Sequence, residues 1–356
     1  MDLKIIETKT PKELPDDSKL GFGQLFSDHM FNMDYNPEQG WHNARIEPYA
    51  PIIMDPATMV LHYGQTIFEG LKAYRTSNEK IQLFRPDENM ARFNRSARLM
   101  CIPEIDEAFV LHALKKLVSI DKEWVPRAPE TSLYVRPTII ATDHYLGVRP
   151  SNTYRLFIIL SPVGAYYPEG FNPVTIWVTD KYVRTVRGGL GEAKTAANYA
   201  ASLYGAEVAK KAGYTQVLWL DAIEQRYIEE VGTMNILFVI NGELVTPPLG
   251  GNILAGITRD SVLTLARDWN IPAAERPITI DEVMAVHKDG SLQEIFGSGT
   301  AAVISPVSHL AWQDQVLTVG DGGVGPMAQG FYEAITDIQY GRAEDPFGWI
   351  VPVDEA

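Results

Sequence analysis

Arg187-Gly188-Gly189-Leu190-Gly191-Glu192-Ala193-Lys194-Thr195-Ala196-Ala197-Asn198-Tyr199 is the stretch on which the reading turns. A lysine follows a glycine-rich loop and is itself followed by small residues. Small residues let a bulky ligand approach the backbone closely. A lysine held away from water loses part of its preference for the charged form, and its free amine attacks carbonyls. Spacing alone leaves a second reading open, a solvated lysine ahead of a helix, because most lysines are surface residues.

Outward from this loop, Glu229-Glu230-Val231-Gly232-Thr233-Met234-Asn235-Ile236 places a carboxylate ahead of an apolar strand. Such a group is either a solvated strand end or a partner for a protonated ring nitrogen. Gly256-Ile257-Thr258 opens a helix, and the N–H groups at a helix start favour a phosphate. Gly297-Ser298-Gly299-Thr300 is a glycine turn that presents N–H groups in the same way. Arg92, Arg95 and Arg98 recur every three residues, so any of them can point inward. Tyr63, Tyr134, Tyr166 and Tyr199 lie on otherwise apolar segments, as bulk with one hydrogen-bonding tip. Each feature alone has an ordinary structural reading. A lysine, a carboxylate, a phosphate cradle and aromatic walls together are what a pyridoxal phosphate site requires.

Composition narrows the class. The chain has 356 residues, 46% hydrophobic and 21% charged, the balance of a globular protein of one large or two ordinary domains. Its 31 basic and 45 acidic side chains give a net charge of −14, which disfavours phosphate-backbone and anionic-membrane partners. The sequence has no GxxxxGK[ST] and no GxGxxG element. One cysteine, Cys101, permits no intrachain disulfide, and no histidines pair at metal-ligand spacing, so no metal is expected. These features and an N-terminus without a signal-peptide pattern point to a reducing cytoplasm. The longest uncharged stretch, Ile295–Gln313, holds three Ser, a His, a Pro and two Gly, and reads as buried strands around a turn.

The first twenty residues read as a surface-trailing segment. Gly21 to Arg85 reads as strands and hairpins. Asp87 is expected to cap a helix over about 88–100, and Asp106 one whose apolar face is Val110, Ala113, Leu114, Leu117 and Val118. Strands are expected at 133–140 and 154–160, then a turn-rich linker. Beyond it, strands at 174–179, 216–220, 235–240, 293–296 and 301–304 mix with helices near 196–211, 259–269, 281–287 and 326–339. Their order in the sheet does not follow from periodicity.

A series of motifs then resembles one family. Leu61-His62-Tyr63, Phe68-Glu69-Gly70-Leu71-Lys72-Ala73, Leu83-Phe84-Arg85-Pro86, Ser132-Leu133-Tyr134-Val135-Arg136-Pro137 and Pro162-Val163-Gly164-Ala165-Tyr166 come first. Gln216-Val217-Leu218-Trp219-Leu220, Glu230-Val231-Gly232-Thr233-Met234-Asn235-Ile236 and Phe296-Gly297-Ser298-Gly299-Thr300-Ala301 complete it. In this order, over nearly the whole chain, they resemble the branched-chain amino acid aminotransferases, fold type IV pyridoxal phosphate enzymes.

The resemblance implies a mixed α/β fold of two domains with pyridoxal 5′-phosphate between them. Residues 1–163 would form a small N-terminal α+β domain, 164–174 a linker, and 175–356 a large, strand-rich cofactor-binding domain. It implies that Lys194 holds the cofactor and shuttles the proton, that Glu230 faces the pyridine nitrogen, and that Tyr199 bonds the 3-oxygen. Arg92, the backbone of Ile257 and Thr258, and the Thr300 hydroxyl would hold the phosphate. Phe22, Tyr63, Tyr134, Tyr166, Thr233 and Ala301 would line the substrate pocket, with Arg136 near its entrance for the second carboxylate of glutamate. Leu146 and Val148 match a loop that reaches into a neighbouring subunit, which implies at least a homodimer.

The activity so implied is transfer of the amino group of L-leucine, L-isoleucine or L-valine to 2-oxoglutarate. Nearer rivals are a D-amino acid aminotransferase and an aminodeoxychorismate lyase, which are usually shorter and lack the Tyr63 and Tyr134-Val135-Arg136 context. Lys72, in a similar small-residue context, is the rival lysine, but it lies outside the lysine motif that matches at Lys194. Departures are few. Ala302 and Ser305 replace the redox Cys-x-x-Cys of animal relatives, Ala193 replaces a frequent aromatic, and Thr195-Ala196-Ala197 a more glycine-rich stretch.

Overall fold

A computed structural model describes residues 1–164 and 171–353. It contains two compact units, Met1–Tyr166 with Ala193–Ala196 and Asp337–Ala356, and Tyr167–Glu192 with Ala197–Thr336. The division is thus not one cut in the sequence. The segment holding Lys194 and the C-terminal residues cluster with the first unit.

The first unit opens with β1 (Lys4–Ile5), β2 (His29–Asn36) and β3 (Gly40–Pro48). Next come α1 (Met59–Tyr63), β4 (Thr66–Phe68), β5 (Leu71–Arg75) and β6 (Ile81–Phe84). Helices α2 (Pro86–Leu99) and α3 (Glu107–Ile120) precede β7 (Ser132–Ala141) and β8 (Tyr154–Val163). The strands run β1-β3-β2-β8-β7-β5-β6, antiparallel except for β1 against β3, and β4 pairs with β7.

Along β8, Tyr154, Leu156, Ile158 and Leu160 are buried while Arg155, Phe157 and Ile159 are less so, the period-two alternation of a strand covered mainly on one face. Helices α2 and α3 add Met90, Phe93 and Ala97, and Val110, Ala113, Leu114, Leu117 and Val118, to the same core. Asp106 caps α3 by accepting from the Phe109 N–H at 3.0 Å.

Three expectations are corrected. Asp87 does not cap α2. Arg85, in a left-handed conformation, is the cap, Pro86 takes the first helical position and Asp87 sits in the first turn beside the positive end of the dipole. The N-terminal residues do not merely trail, because Lys4 and Ile5 pair with Arg45 and Ile46. The stretch before Arg85 also contains one helical turn, α1, ended by Gly64 at φ 62°.

The second unit contains β9 (Val174–Thr179), α4 (Ala196–Lys211), β10 (Gln216–Leu220), β11 (Ile228–Val231), β12 (Met234–Ile240) and β13 (Glu243–Thr246). Then follow α5 (Ile257–Asp268), β14 (Ala273–Glu275), α6 (Ile280–Lys288), β15 (Leu292–Gly299), β16 (Val303–Trp312), β17 (Gln315–Thr318) and α7 (Pro326–Gln339). The order is β11-β10-β9-β16-β15-β12-β13-β14, and β11 also pairs with β12. That extra pairing closes β9, β10, β11, β12, β15 and β16 into a ring. All seven residues of β12 are buried, which explains its unbroken apolar run. The expected strand at 301–304 starts only at Val303, because residues 300–302 make the turn out of β15. After α7 the chain adds β18 (Ile350–Pro352) to the first sheet, antiparallel to β6.

Candidate active site

Lys194 lies in a segment fastened to the first unit's sheet and helix. The Phe68 N–H donates to the Lys194 carbonyl at 3.0 Å, the Lys194 N–H to Ser96 Oγ at 2.9 Å, and Thr195 Oγ1 to the Thr66 carbonyl at 2.7 Å. The backbone on both sides of the side chain is therefore fixed by β4 and α2. Its Nζ stands 5.1 Å from the Phe68 ring centroid.

Beside it is a buried ion pair. Glu69 accepts from Arg92 Nε at 2.8 Å and Nη2 at 2.9 Å, and from Asn89 Nδ2 at 2.7 Å. Burial pushes the Glu69 carboxyl up, but the charges of Arg92 and Lys194 and the hydrogen bonds of Arg92 and Asn89 hold it below the usual carboxylate range. Of the three arginines spaced along α2, Arg92 is buried while Arg95 and Arg98 are exposed. Lys72 is also buried, and desolvation lowers its pKa to about 8.

The first unit also carries an aromatic group around Tyr134. Phe22 meets Tyr134 edge-on at 5.2 Å, and Arg136 Nη2 donates to Tyr134 Oη at 2.9 Å. The Arg136 guanidinium lies 4.6 Å from the Phe68 ring centroid. A Cβ at Gly70 would fall 2.0 Å from Tyr134 Oη, so a glycine there lets the phenol lie across the backbone. Tyr63 is exposed and donates to the Leu146 carbonyl, and Leu146 and Val148 are 63% and 85% exposed. Tyr166 lies outside the described residues.

In the second unit Glu230 is buried on β11. It accepts from Arg184 Nη1 and, at 3.4 Å, from Asn235 Nδ2, which also donates to the Leu254 carbonyl at 2.9 Å. The Arg184 guanidinium is 5.5 Å from the ring centroid of Tyr199 on α4. Ile257 and Thr258 are buried at the start of α5, whose cap, Gly256, makes no side-chain cap bond. A Cβ at 256 would lie 1.9 Å from Asn235 Oδ1. Thr300 and Ala301 are partly exposed in the turn after β15. Thr233 is exposed in the hairpin between β11 and β12, where Gly232 has φ 57°.

Of the cofactor residues expected from the sequence, Arg92 and Lys194 therefore belong to the first unit, and Tyr199, Glu230, Ile257, Thr258 and Thr300 to the second. Residues 193–196, which hold Lys194, cluster with the first unit and not with the rest of 175–356. Glu69, Ser96, Arg184 and Asn235 were not foreseen. The one signal for Glu69 was a carboxylate inside an apolar motif, and Arg184 had none.

Known proteins match almost the whole chain. Branched-chain-amino-acid aminotransferase 2 of Bacillus subtilis (strain 168) is 56% identical over 99% of this chain and 97% of its own length. The crystal structure of the Escherichia coli branched-chain amino acid aminotransferase matches with a TM-score of 0.78 at 27% identity, over 92% of this chain and 99% of that one. The crystal structure of the branched-chain aminotransferase from the thermophilic archaeon Thermoproteus uzoniensis with norvaline matches with a TM-score of 0.76 at 26% identity, covering 91% and 99%. The amino-transferase class IV model spans residues 66–310, and the chain belongs to that family.

Proposed function

We propose that this protein transfers the amino group of L-leucine, L-isoleucine and L-valine to 2-oxoglutarate with pyridoxal 5′-phosphate as cofactor. The observation that carries the chemistry is Lys194, whose backbone is fixed at Phe68 and Ser96 and whose amine is charge-coupled to Glu69. The names of the relatives support the substrate class.

The donor set fits this cofactor. The start of α5 supports this reading, because Gly256 carries no side chain to cap the helix and the N–H groups at a helix start favour a phosphate. When bound, pyridoxal 5′-phosphate supplies an electron sink that spreads the charge left as the substrate Cα loses its proton. Lys194 Nζ holds the cofactor and moves that proton. Glu230 holds the pyridine nitrogen in its protonated form, and Arg184 and Asn235 aim its carboxylate. Tyr199 bonds the 3-oxygen. The resemblance assigns the phosphate to Arg92, whose plane is set by Glu69, to the Ile257 and Thr258 N–H groups and to the Thr300 hydroxyl.

The resemblance assigns the branched side chain of the substrate to Phe22, Tyr63, Tyr134, Tyr166, Thr233 and Ala301. Arg136 supplies the polar contact that lets the same pocket take glutamate. The exposed Leu146 and Val148 support a homodimer in which that loop serves a neighbouring subunit. Among the described residues no helix is long and apolar enough to cross a membrane. A single cysteine, Cys101, suits a reducing compartment and supports placing the enzyme in the cytoplasm.

A steady-state donor panel with 2-oxoglutarate tests the reading. L-Leucine, L-isoleucine and L-valine are expected to be turned over well above D-alanine, with aminodeoxychorismate inert. A Lys194→Ala variant that keeps full activity, or a purified protein without a visible cofactor band, refutes it.

A further inference from the structure

Glu229 and Glu230 are consecutive on β11, so their side chains leave opposite faces of the strand. Glu230 is absorbed by the site above. Glu229, 4% exposed, is not. It accepts from Asn252 Nδ2, and its Oε2 lies 3.3 Å from Thr185 Oγ1. Thr185 Oγ1 in turn lies 2.8 Å from the Asn252 carbonyl.

A donor count decides how these groups are protonated. Thr185 has one hydroxyl proton and two acceptors in reach, and the Asn252 carbonyl is the nearer. An ionised Glu229 would then place two acceptors face to face. The ring closes without conflict when Glu229 Oε2 carries the proton. Glu229 then donates to Thr185, Thr185 to the Asn252 carbonyl, and the Asn252 amide to Glu229 Oε1.

The surrounding charges agree. Burial, with the negative charges of Glu230 and Asp221, pushes the Glu229 carboxyl up to about 7 against the lowering by Asn252 and by any share of the Thr185 hydroxyl proton, which the nearer Asn252 carbonyl takes. Arg184, next to Thr185, is engaged with Glu230. Arg187 and Glu224 line the same cavity of about 400 Å³ as Glu229, Asn252 and Asp221, and that cavity lets water exchange the proton.

What the ring holds is the segment leading into α5. The Leu254 carbonyl is held by Asn235 from the Glu230 face. A Cβ on Gly191 would stand 2.3 Å from the Asn252 carbonyl, so this segment is gripped there as well. We propose that Glu229 is a positioning residue which, as a neutral carboxylic acid, closes a ring with Thr185 and Asn252 and fixes Asn252–Gly256 ahead of the phosphate-binding start of α5. The proposal rests on the reading that α5 binds the cofactor phosphate.

The sign follows from the raised pKa. The neutral ring is intact at acid pH and is lost as pH rises through about 7, so cofactor should be held less tightly on the alkaline side. Pyridoxal 5′-phosphate affinity of the wild type, Glu229→Gln and Glu229→Ala is to be measured from pH 6 to 8.5. Amide exchange over residues 252–256 is followed in the cofactor-free proteins.

Gln donates to Thr185 and accepts from Asn252 with no proton to lose. Glu229→Gln should match the wild type at pH 6 and hold cofactor better at pH 8.5, with slow loop exchange throughout. Glu229→Ala should bind about tenfold more weakly and exchange faster at every pH. Glu229→Gln behaving like Glu229→Ala, or pH curves of wild type and Glu229→Gln that superimpose, would overturn the inference while leaving the functional reading standing. A wild type that binds no pyridoxal 5′-phosphate overturns both. If Glu229→Ala does not fold, wild type against Glu229→Gln decides alone.

Discussion

The buried pair Glu69–Arg92 makes the sharpest quantitative prediction. Glu69 is fully buried and receives Arg92 Nε, Arg92 Nη2, Asn89 Nδ2 and, at 3.2 Å, the Gly70 N–H. Glu69→Ala leaves the guanidinium of Arg92, itself buried, without the carboxylate that neutralises it. Breaking one side of a buried ion pair costs about 3–5 kcal/mol. For a cooperative unit of this size that is a fall in Tm of roughly 6–20 °C.

Because the chain has two units, hydrogen exchange of peptides from residues 66–99 in increasing urea is the assay, since it reads the first unit without assuming a single transition. Glu69→Gln keeps an acceptor of the same shape and should lie between wild type and Glu69→Ala. The carboxyl is held below its usual range, so its contribution is present above the ordinary glutamate pKa. It is lost as pH falls through the folded value, and Glu69→Gln should remove that acid limb. Glu69→Met combined with Arg92→Met should recover much of the stability, because no lone charge remains buried, yet should retain cofactor poorly. A Glu69→Ala protein within about 1 kcal/mol of wild type refutes the reasoning.

Other outcomes follow from the same geometry. Gly70→Ala should displace Tyr134 and break its bond to Arg136, raising KM for 2-oxoglutarate more than for leucine; steady-state kinetics with each substrate varied checks this. Arg184→Met removes the guanidinium paired with the buried Glu230 and should cost about 3 kcal/mol in urea unfolding, with weaker cofactor retention on dialysis. In the first unit Asp121 accepts from His29 Nδ1 at 2.6 Å and from the His29 N–H at 2.9 Å, both residues buried. Asp121→Ala should therefore lower stability by about 2–4 kcal/mol, read by the same exchange experiment, with little change in turnover of the surviving folded enzyme.

Which parts of this protein can be read from its sequence follows from how far each signal reaches along the chain. Helix α3 and strand β8 carry their own periods, five buried positions on one helical face and Tyr154, Leu156, Ile158 and Leu160 on one strand face, so neither needs a distant partner to be recognised. Helix α1 and strand β4 span five and three residues, too few for any period. Their places are set from elsewhere, β4 by Ile140, Ile139 and Thr138 of β7 and by Thr195. The same reach governs the site. Lys194 is legible because a lysine among small residues after a glycine loop carries its chemistry locally. Glu69 and Arg184 are not, since each declares itself only through a partner 23 or 46 residues away. Alternation on β11 requires Glu229 and Glu230 to face opposite ways, but it cannot say which of them meets an arginine and which a threonine. That choice comes from residues 184–185 and 252, which lie outside β11 and meet Glu230 and Glu229 only in the folded chain, and it decides which of two adjacent carboxylates faces an arginine.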